Sequence, residues 1–203
     1  MKPTTIFFVR HGEVHNPKDI VYLRTPRFRL SERGRQEVET TALFLRHEPI
    51  RMVYSSPMLR ARQTAATIQN YHPTAPLRIS KYINELQSSW QGVSRAEMDA
   101  LSWNFYDNRR HPDDESREDV LARVQQQLRL TLRRHSGESV VWVAHGDIVI
   151  IATLWGRGLP LSALSNYKGA NYIAHASVTK FVFEHGHEVP LSVEYFNPNQ
   201  VSL

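Results

Sequence analysis

Cysteine is absent from the 203 residues of this chain. That removes disulfide bridges, thiolate nucleophiles and sulfur-ligated zinc from consideration. Long apolar runs are lacking too. Ile6 to Val9 is too short for a signal peptide and is followed at once by Arg10. Val140 to Trp155 is interrupted by His145, Gly146 and Asp147, so it is not expected to span a bilayer. The expectation is a cytoplasmic protein with no membrane partner. Zinc-finger, recognition-helix and RNA-binding-sheet signatures are missing, as are repeats and low-complexity tracts, so no nucleic-acid partner is expected.

What is present suits a soluble globular chain. With 203 residues, one domain covering 1–203 is the default and two small ones the alternative. A hydrophobic content of 41% is enough for a sizeable core. Lysine and arginine exceed aspartate and glutamate by 25 to 20, which favours a small anionic ligand without naming it.

The residue pattern alternates strand and helix. Thr4 to Val9 reads as a strand. Ser31 is a helix N-cap for a helix from Glu32 to about Arg46, with Val38, Ala42 and Leu45 on one face. Met52 to Ser55 is a short strand, and Ser56-Pro57 reads as an N-cap followed by the first helical proline of a helix reaching Gln69. Leu77 to Ser80 is a third strand. Residues 81–115 read as an insertion of short helices and loops. Ser116 and Asp119 form a capping box for a helix to about His135. Ser139 to Ala144, continuously apolar, reads as a central strand covered on both faces, followed by a helix from Asp147 to Trp155. Ser177–Phe183 and Val189–Tyr195 flank a turn and predict a terminal hairpin. The fold class is α/β, with a mostly parallel sheet and helices on both faces.

Chemistry concentrates at the strand ends. Arg10-His11-Gly12-Glu13 follows the first strand, Ser55-Ser56-Pro57 with Arg60 follows the second, and His145-Gly146 follows the central one. In a parallel sheet these ends share one edge, beside helix N-termini that attract anions. Two arginines and two histidines at such an edge describe a phosphoryl site. The plainer readings are a turn histidine at His11, a core histidine at His145 and a surface arginine at Arg60.

Those motifs, with Gln63-Thr64-Ala65, Glu85 ahead of Trp90-Gln91-Gly92, and Ala176-Ser177-Val178-Thr179, resemble the histidine phosphatase superfamily, also called the phosphoglycerate mutase-like family. The resemblance implies a three-layer sandwich. It implies that His11 attacks phosphorus, that Arg10, Arg60 and His145 hold the phosphoryl oxygens, and that Glu85 protonates the leaving oxygen and then activates water. Glu13 and Glu97 stay open as alternative donors, though Glu13 reads better as a partner of Arg10. Asn16 is assigned to the phosphate, one place earlier than in the mutases, and Val14 replaces a common Ser or Thr. Both departures lean toward a phosphatase. The competing readings are a cofactor-dependent phosphoglycerate mutase and a non-catalytic phosphate-binding protein. Tyr22, Arg24 and Trp90 are expected at the substrate rim, while His175, His185 and His187 read as surface hairpin residues. No cofactor and no metal are expected. The partner is a small phosphorylated substrate; a homodimer is compatible with the sequence, which does not set the oligomeric state.

Overall fold

A computed structural model describes residues 2–166 and 169–200. Its strands are β1 (Thr4–Arg10), β2 (Ile50–Ser55), β3 (Leu77–Ile79), β4 (Ser139–Ala144), β5 (Val178–Phe183) and β6 (Ser192–Phe196). They form one sheet in the order β3-β2-β4-β1-β5-β6. β4 pairs in parallel with both β1 and β2, and β3 adds in parallel to β2. β5 lies antiparallel to β1 and pairs with β6 as the expected hairpin. The second hairpin strand starts at Ser192 rather than Val189, because Pro190 has no N–H to give the ladder.

Alternation along the strands sorts the core into two layers. Phe7 and Val9 of β1, Val53 of β2 and Val141 and Val143 of β4 pack with Ala42 and Leu45 of α1 (Glu32–Leu45) and with Ala61, Ala65 and Ile68 of α2 (Leu59–Asn70). Ile6, Phe8, Tyr54, Val140 and Trp142 point to the other face. There they meet Val120, Val124 and Leu128 of α4 (Arg117–Arg134) and the apolar α5 (Gly146–Gly156). Helices thus cover both faces of a mostly parallel sheet. The stretch 81–115 contributes a single turn at Lys81–Ile83 and the short α3 (Arg95–Ala100) to that second layer. Among the described residues no helix is long and apolar enough to cross a membrane.

Local chemistry accounts for most element ends. The Ser31 hydroxyl accepts from Gly34 N at 2.9 Å, and Ser116 and Asp119 make the reciprocal capping box. The Ser56-Pro57 expectation needs correction. The chain bends at Pro57-Met58, α2 begins at Leu59, and Met58, itself in an extended conformation, makes no side-chain cap. Ser56 is instead drawn toward the strand edge, where its hydroxyl meets His145. A second local feature is a close approach: a Cβ on Gly34 would overlap the Glu13 carbonyl, so glycine lets the first turn of α1 press against the loop after β1.

Candidate active site

The parallel register places the three strand ends side by side. Arg10 is the partner of Ala144, and Ser55 that of Val143, so His11, Ser56 and His145 are the next residues of three adjacent strands. His11 N donates to Ala144 O at 3.0 Å, which extends the ladder one residue into the site. Arg60, in the first turn of α2, is fully buried against this edge.

The side chains form one connected cluster. His11 Nδ1 lies 2.7 Å from Gly12 O, a partner that can only accept, so Nδ1 carries the proton and Nε2 keeps its lone pair. Arg60 Nε donates to that Nε2 at 3.1 Å. Arg60 Nη2 donates to Glu85 Oε2 at 3.0 Å and to Leu23 O at 2.8 Å. His145 Nδ1 stands 3.1 Å from the same Glu85 oxygen, and its Nε2 is 2.7 Å from Ser56 Oγ. A neutral His145 donating to Glu85 and accepting from the Ser56 hydroxyl satisfies both contacts. Leu86 N completes the shell of Glu85 at 2.9 Å.

Electrostatics follow from burial and one shared cation. Burial, then Arg60, His145, Arg10 and His175, hold the His11 pKa well below the usual histidine value, so its imidazole is neutral. His145 is pushed down to about 4 by burial and Arg60, against the pull of Glu85. For Glu85 burial acts upward, but His145 and Arg60 outweigh it and hold the carboxyl well below the usual range. Two guanidinium nitrogens beside His11, Arg10 Nε and Arg60 Nη1, are buried with no partner. An unmet buried donor costs about 1–3 kcal/mol, which an oxygen-rich anion would recover. His11, Glu85 and His145 offer donor atoms within 4.8 Å of one another, a spacing a metal ion can use. The Arg60 guanidinium already stands among them as the cation, so the set fits an anion clamp better than a metal centre.

Other expected residues separate into those at the cavity and those behind it. Tyr22 lines the cavity, its ring 4.7 Å from the Arg60 guanidinium. Asn16 also lines it, yet its amide is spent on the backbone of Ile20, donating at 2.8 Å and accepting at 3.3 Å. Arg24 is not at the rim. It binds Glu85 O at 2.8 Å and Glu115 at 3.0 Å, and so braces the 81–115 stretch together with Arg123. Trp90 is likewise displaced from the rim: it is buried under a loop, donating to Asn108 O at 2.8 Å beneath Arg110. Glu13 accepts from Ser31 Oγ at 2.6 Å rather than pairing with Arg10, and Glu97 is occupied in the capping box of α3.

His175 corrects the expectation of a surface residue. Its Nε2 accepts from Arg10 Nη2 at 2.9 Å, and its ring centroid lies 5.9 Å from that of His11. The signal was topological: β5 runs antiparallel to β1, with Val9 opposite Val178, so the residues entering β5 lie beside the end of β1. Asp147, Tyr106 and Tyr172 also line the cavity and were missed, since no motif links them in sequence.

The chain matches the model of the histidine phosphatase superfamily (branch 1) over residues 6–195 and belongs to that family. A stretch of 72 residues is 44% identical to the uncharacterized protein Rv0525 of Mycobacterium tuberculosis, covering 36% of each chain. Among solved structures it is similar to mycobacterial glucosyl-3-phosphoglycerate phosphatase Rv2419c, at 22% identity over 97% of this chain and 99% of that one, with a TM-score of 0.78. Phosphoserine phosphatase from Entamoeba histolytica aligns at 22% identity over 96% and 98%, with a TM-score of 0.75. Bacillus stearothermophilus YhfR aligns at 23% over 93% and 98%, with a TM-score of 0.77. These structural likenesses establish the shared fold.

Proposed function

We propose that this chain, taken as one domain over 1–203, is a metal-independent phosphomonoesterase acting in the cytoplasm through a phosphohistidine on His11. The carrying observation is a neutral, tautomer-locked His11 flanked by two unfilled guanidinium donors. Phosphoryl oxygens occupy Arg10 and Arg60, and His11 Nε2 attacks phosphorus. The P–N bond forms as the P–O bond to the leaving alkoxide breaks, and the alkoxide takes a proton from Glu85. That proton is taken up with the substrate. The bound phosphoryl group engages Arg60, the cation that helps hold Glu85 ionised, and its negative charge beside the carboxylate raises the carboxyl's proton affinity. Glu85 can then take the proton that a phosphate monoester loses at about pH 6. Water then gives a proton to Glu85 while its oxygen bonds to phosphorus. The P–N bond breaks, inorganic phosphate leaves, and His11 is restored.

The paired state of the rim cations favours hydrolysis over the mutase reading. Arg33 is bound to Glu37 at 3.1 Å and Arg95 to Asp19 at 3.2 Å, leaving few cations to enclose a bisphosphate. The relatives' names make phosphoserine and glucosyl-3-phosphoglycerate the first esters to assay. In the presence of a chelator, the wild type should release phosphate from p-nitrophenyl phosphate and form an acid-labile phosphoryl-protein. His11→Ala should lose both; normal turnover by that variant would sink the proposal. Conversion of 3-phosphoglycerate to 2-phosphoglycerate without free phosphate, given a trace of bisphosphate, would establish the mutase instead.

A further inference from the structure

The cavity, about 890 Å³, extends well past the phosphoryl end and must receive the leaving group. On its wall, two residues beyond His145, stands Asp147 in the first turn of α5. Its carboxylate accepts from Tyr172 Oη at 2.6 Å and from Tyr106 Oη at 3.0 Å. Among the described residues no cation lies within ion-pair distance of it. Arg10 is committed elsewhere: its guanidinium lies over the Tyr172 ring at 4.8 Å and bonds to Ile173 O and His175. The other arginines on the wall are paired too, Arg33 with Glu37, Arg95 with Asp19 and Arg117 with Asp107.

Burial raises the proton affinity of Asp147 and the Glu85 charge adds to it, while the hydroxyls of Tyr172 and Tyr106 and the more distant charge of Arg10 oppose this. This is the condition of a desolvated carboxylate with no ion-pair partner among the described residues. Because both tyrosines donate to Asp147, the lone pairs on their own oxygens are free to accept. Three oxygen-bearing side chains therefore stand on the cavity wall, and among the described residues no unpaired cation stands with them.

We propose, resting on the phosphomonoesterase reading above, that Asp147 with Tyr106 and Tyr172 forms a subsite for a protonated amine on the leaving group, so that ammonium-bearing alkyl phosphates are the preferred esters. An ammonium brings three donors and the missing charge. A leaving group carrying a carboxylate or second phosphate would face Asp147 and Glu85 with no spare arginine.

The test is kcat/KM for ω-aminoalkyl phosphates of roughly two to five carbons against n-alkyl and ω-carboxyalkyl phosphates of equal length. At the length that spans the gap, the amine should be preferred over the alkyl ester roughly tenfold or more, the scale of a hydrogen bond to a charged group. In Asp147→Asn that ratio should fall toward one. Tyr106→Phe removes one acceptor but keeps the charge, so it should lower the ratio part of the way; an unchanged ratio there would remove Tyr106 from the subsite, which preserves the test should the first variant fail to fold. Equal rates for amine and alkyl esters at every length, a preference for carboxyalkyl esters, or an undiminished ratio in Asp147→Asn would each overturn the subsite. Failure to hydrolyse any ester, p-nitrophenyl phosphate included, would be failure of the phosphatase reading instead. Calorimetric binding then decides the subsite separately: 3-aminopropylphosphonate binding more tightly than propylphosphonate supports it, and equal binding refutes it.

Discussion

One guanidinium serves both chemical partners. Arg60 touches the nucleophile through Nε and the acid through Nη2, so the charge that adds to burial in keeping His11 neutral also adds to His145 in keeping Glu85 ionised in the free protein. The acid is therefore loaded by the substrate, and its contribution depends on how badly the leaving oxygen needs a proton. Glu85→Gln should slow hydrolysis of an alkyl phosphate by about 10²–10⁴-fold, the usual range for general acid–base catalysis. It should slow p-nitrophenyl phosphate far less, because nitrophenolate departs unprotonated. Comparing kcat for the two esters is the measurement, and an equal loss on both would remove Glu85 from the acid role. At this scale His11, Ser56 and His145 were legible because each stands directly after a strand, and Arg60 because it stands in the first turn of a helix, whereas Glu85, in a loop, was legible only through the motif around it. Arg24 and Trp90 were not, because a side chain between two loops takes whichever partner the loop path offers. Here those partners are Glu115 and Asn108.

Elements were legible where an end has a local cause. Ser31 and Ser116 cap their helices through their own side chains, and continuous apolar runs mark the strands buried on both faces. The start of α2 was misplaced because Ser56, which has the composition of a cap, serves His145 instead. The Ser56 hydroxyl also accepts from Met58 N at 3.3 Å, a local turn that precedes the helix rather than capping it. The packing of α1 against the loop after β1 gives an element-scale prediction. Gly34→Ala should improve intrinsic helix propensity by up to about 1 kcal/mol. It also drives a methyl into the Glu13 backbone, and overpacking of this kind costs about 1–3 kcal/mol. Net destabilisation by urea denaturation is expected; a stabilised variant would show that the loop yields freely.

Across the whole molecule, the parallel order gathers chemistry from distant parts of the chain and buries it, and that burial ties folding to pH. The unfolded chain protonates its histidines near 6.5, whereas native His145 does so only at about 4 and His11 is also lowered. Between those values the unfolded state binds more protons, so stability should fall as pH drops from 6.5 toward 4. Glu85, whose native pKa is depressed, adds a loss in the same direction below its ordinary value near 4.5. Melting temperatures across this range test the point, and a flat profile would contradict it. His175 escaped the sequence reading at this scale, since only the antiparallel placement of β5 brings it to Arg10. The junction of β4 and α5 has a historical consequence as well. A Cβ at Gly146 would strike the Tyr172 hydroxyl, so a side chain there evicts the ring that stacks on Arg10 and holds Asp147. Substitutions at these two positions are accordingly order-dependent: a lineage departing from this chain must first shrink residue 172 before residue 146 can grow, and the reverse path crosses a protein with a damaged phosphate clamp.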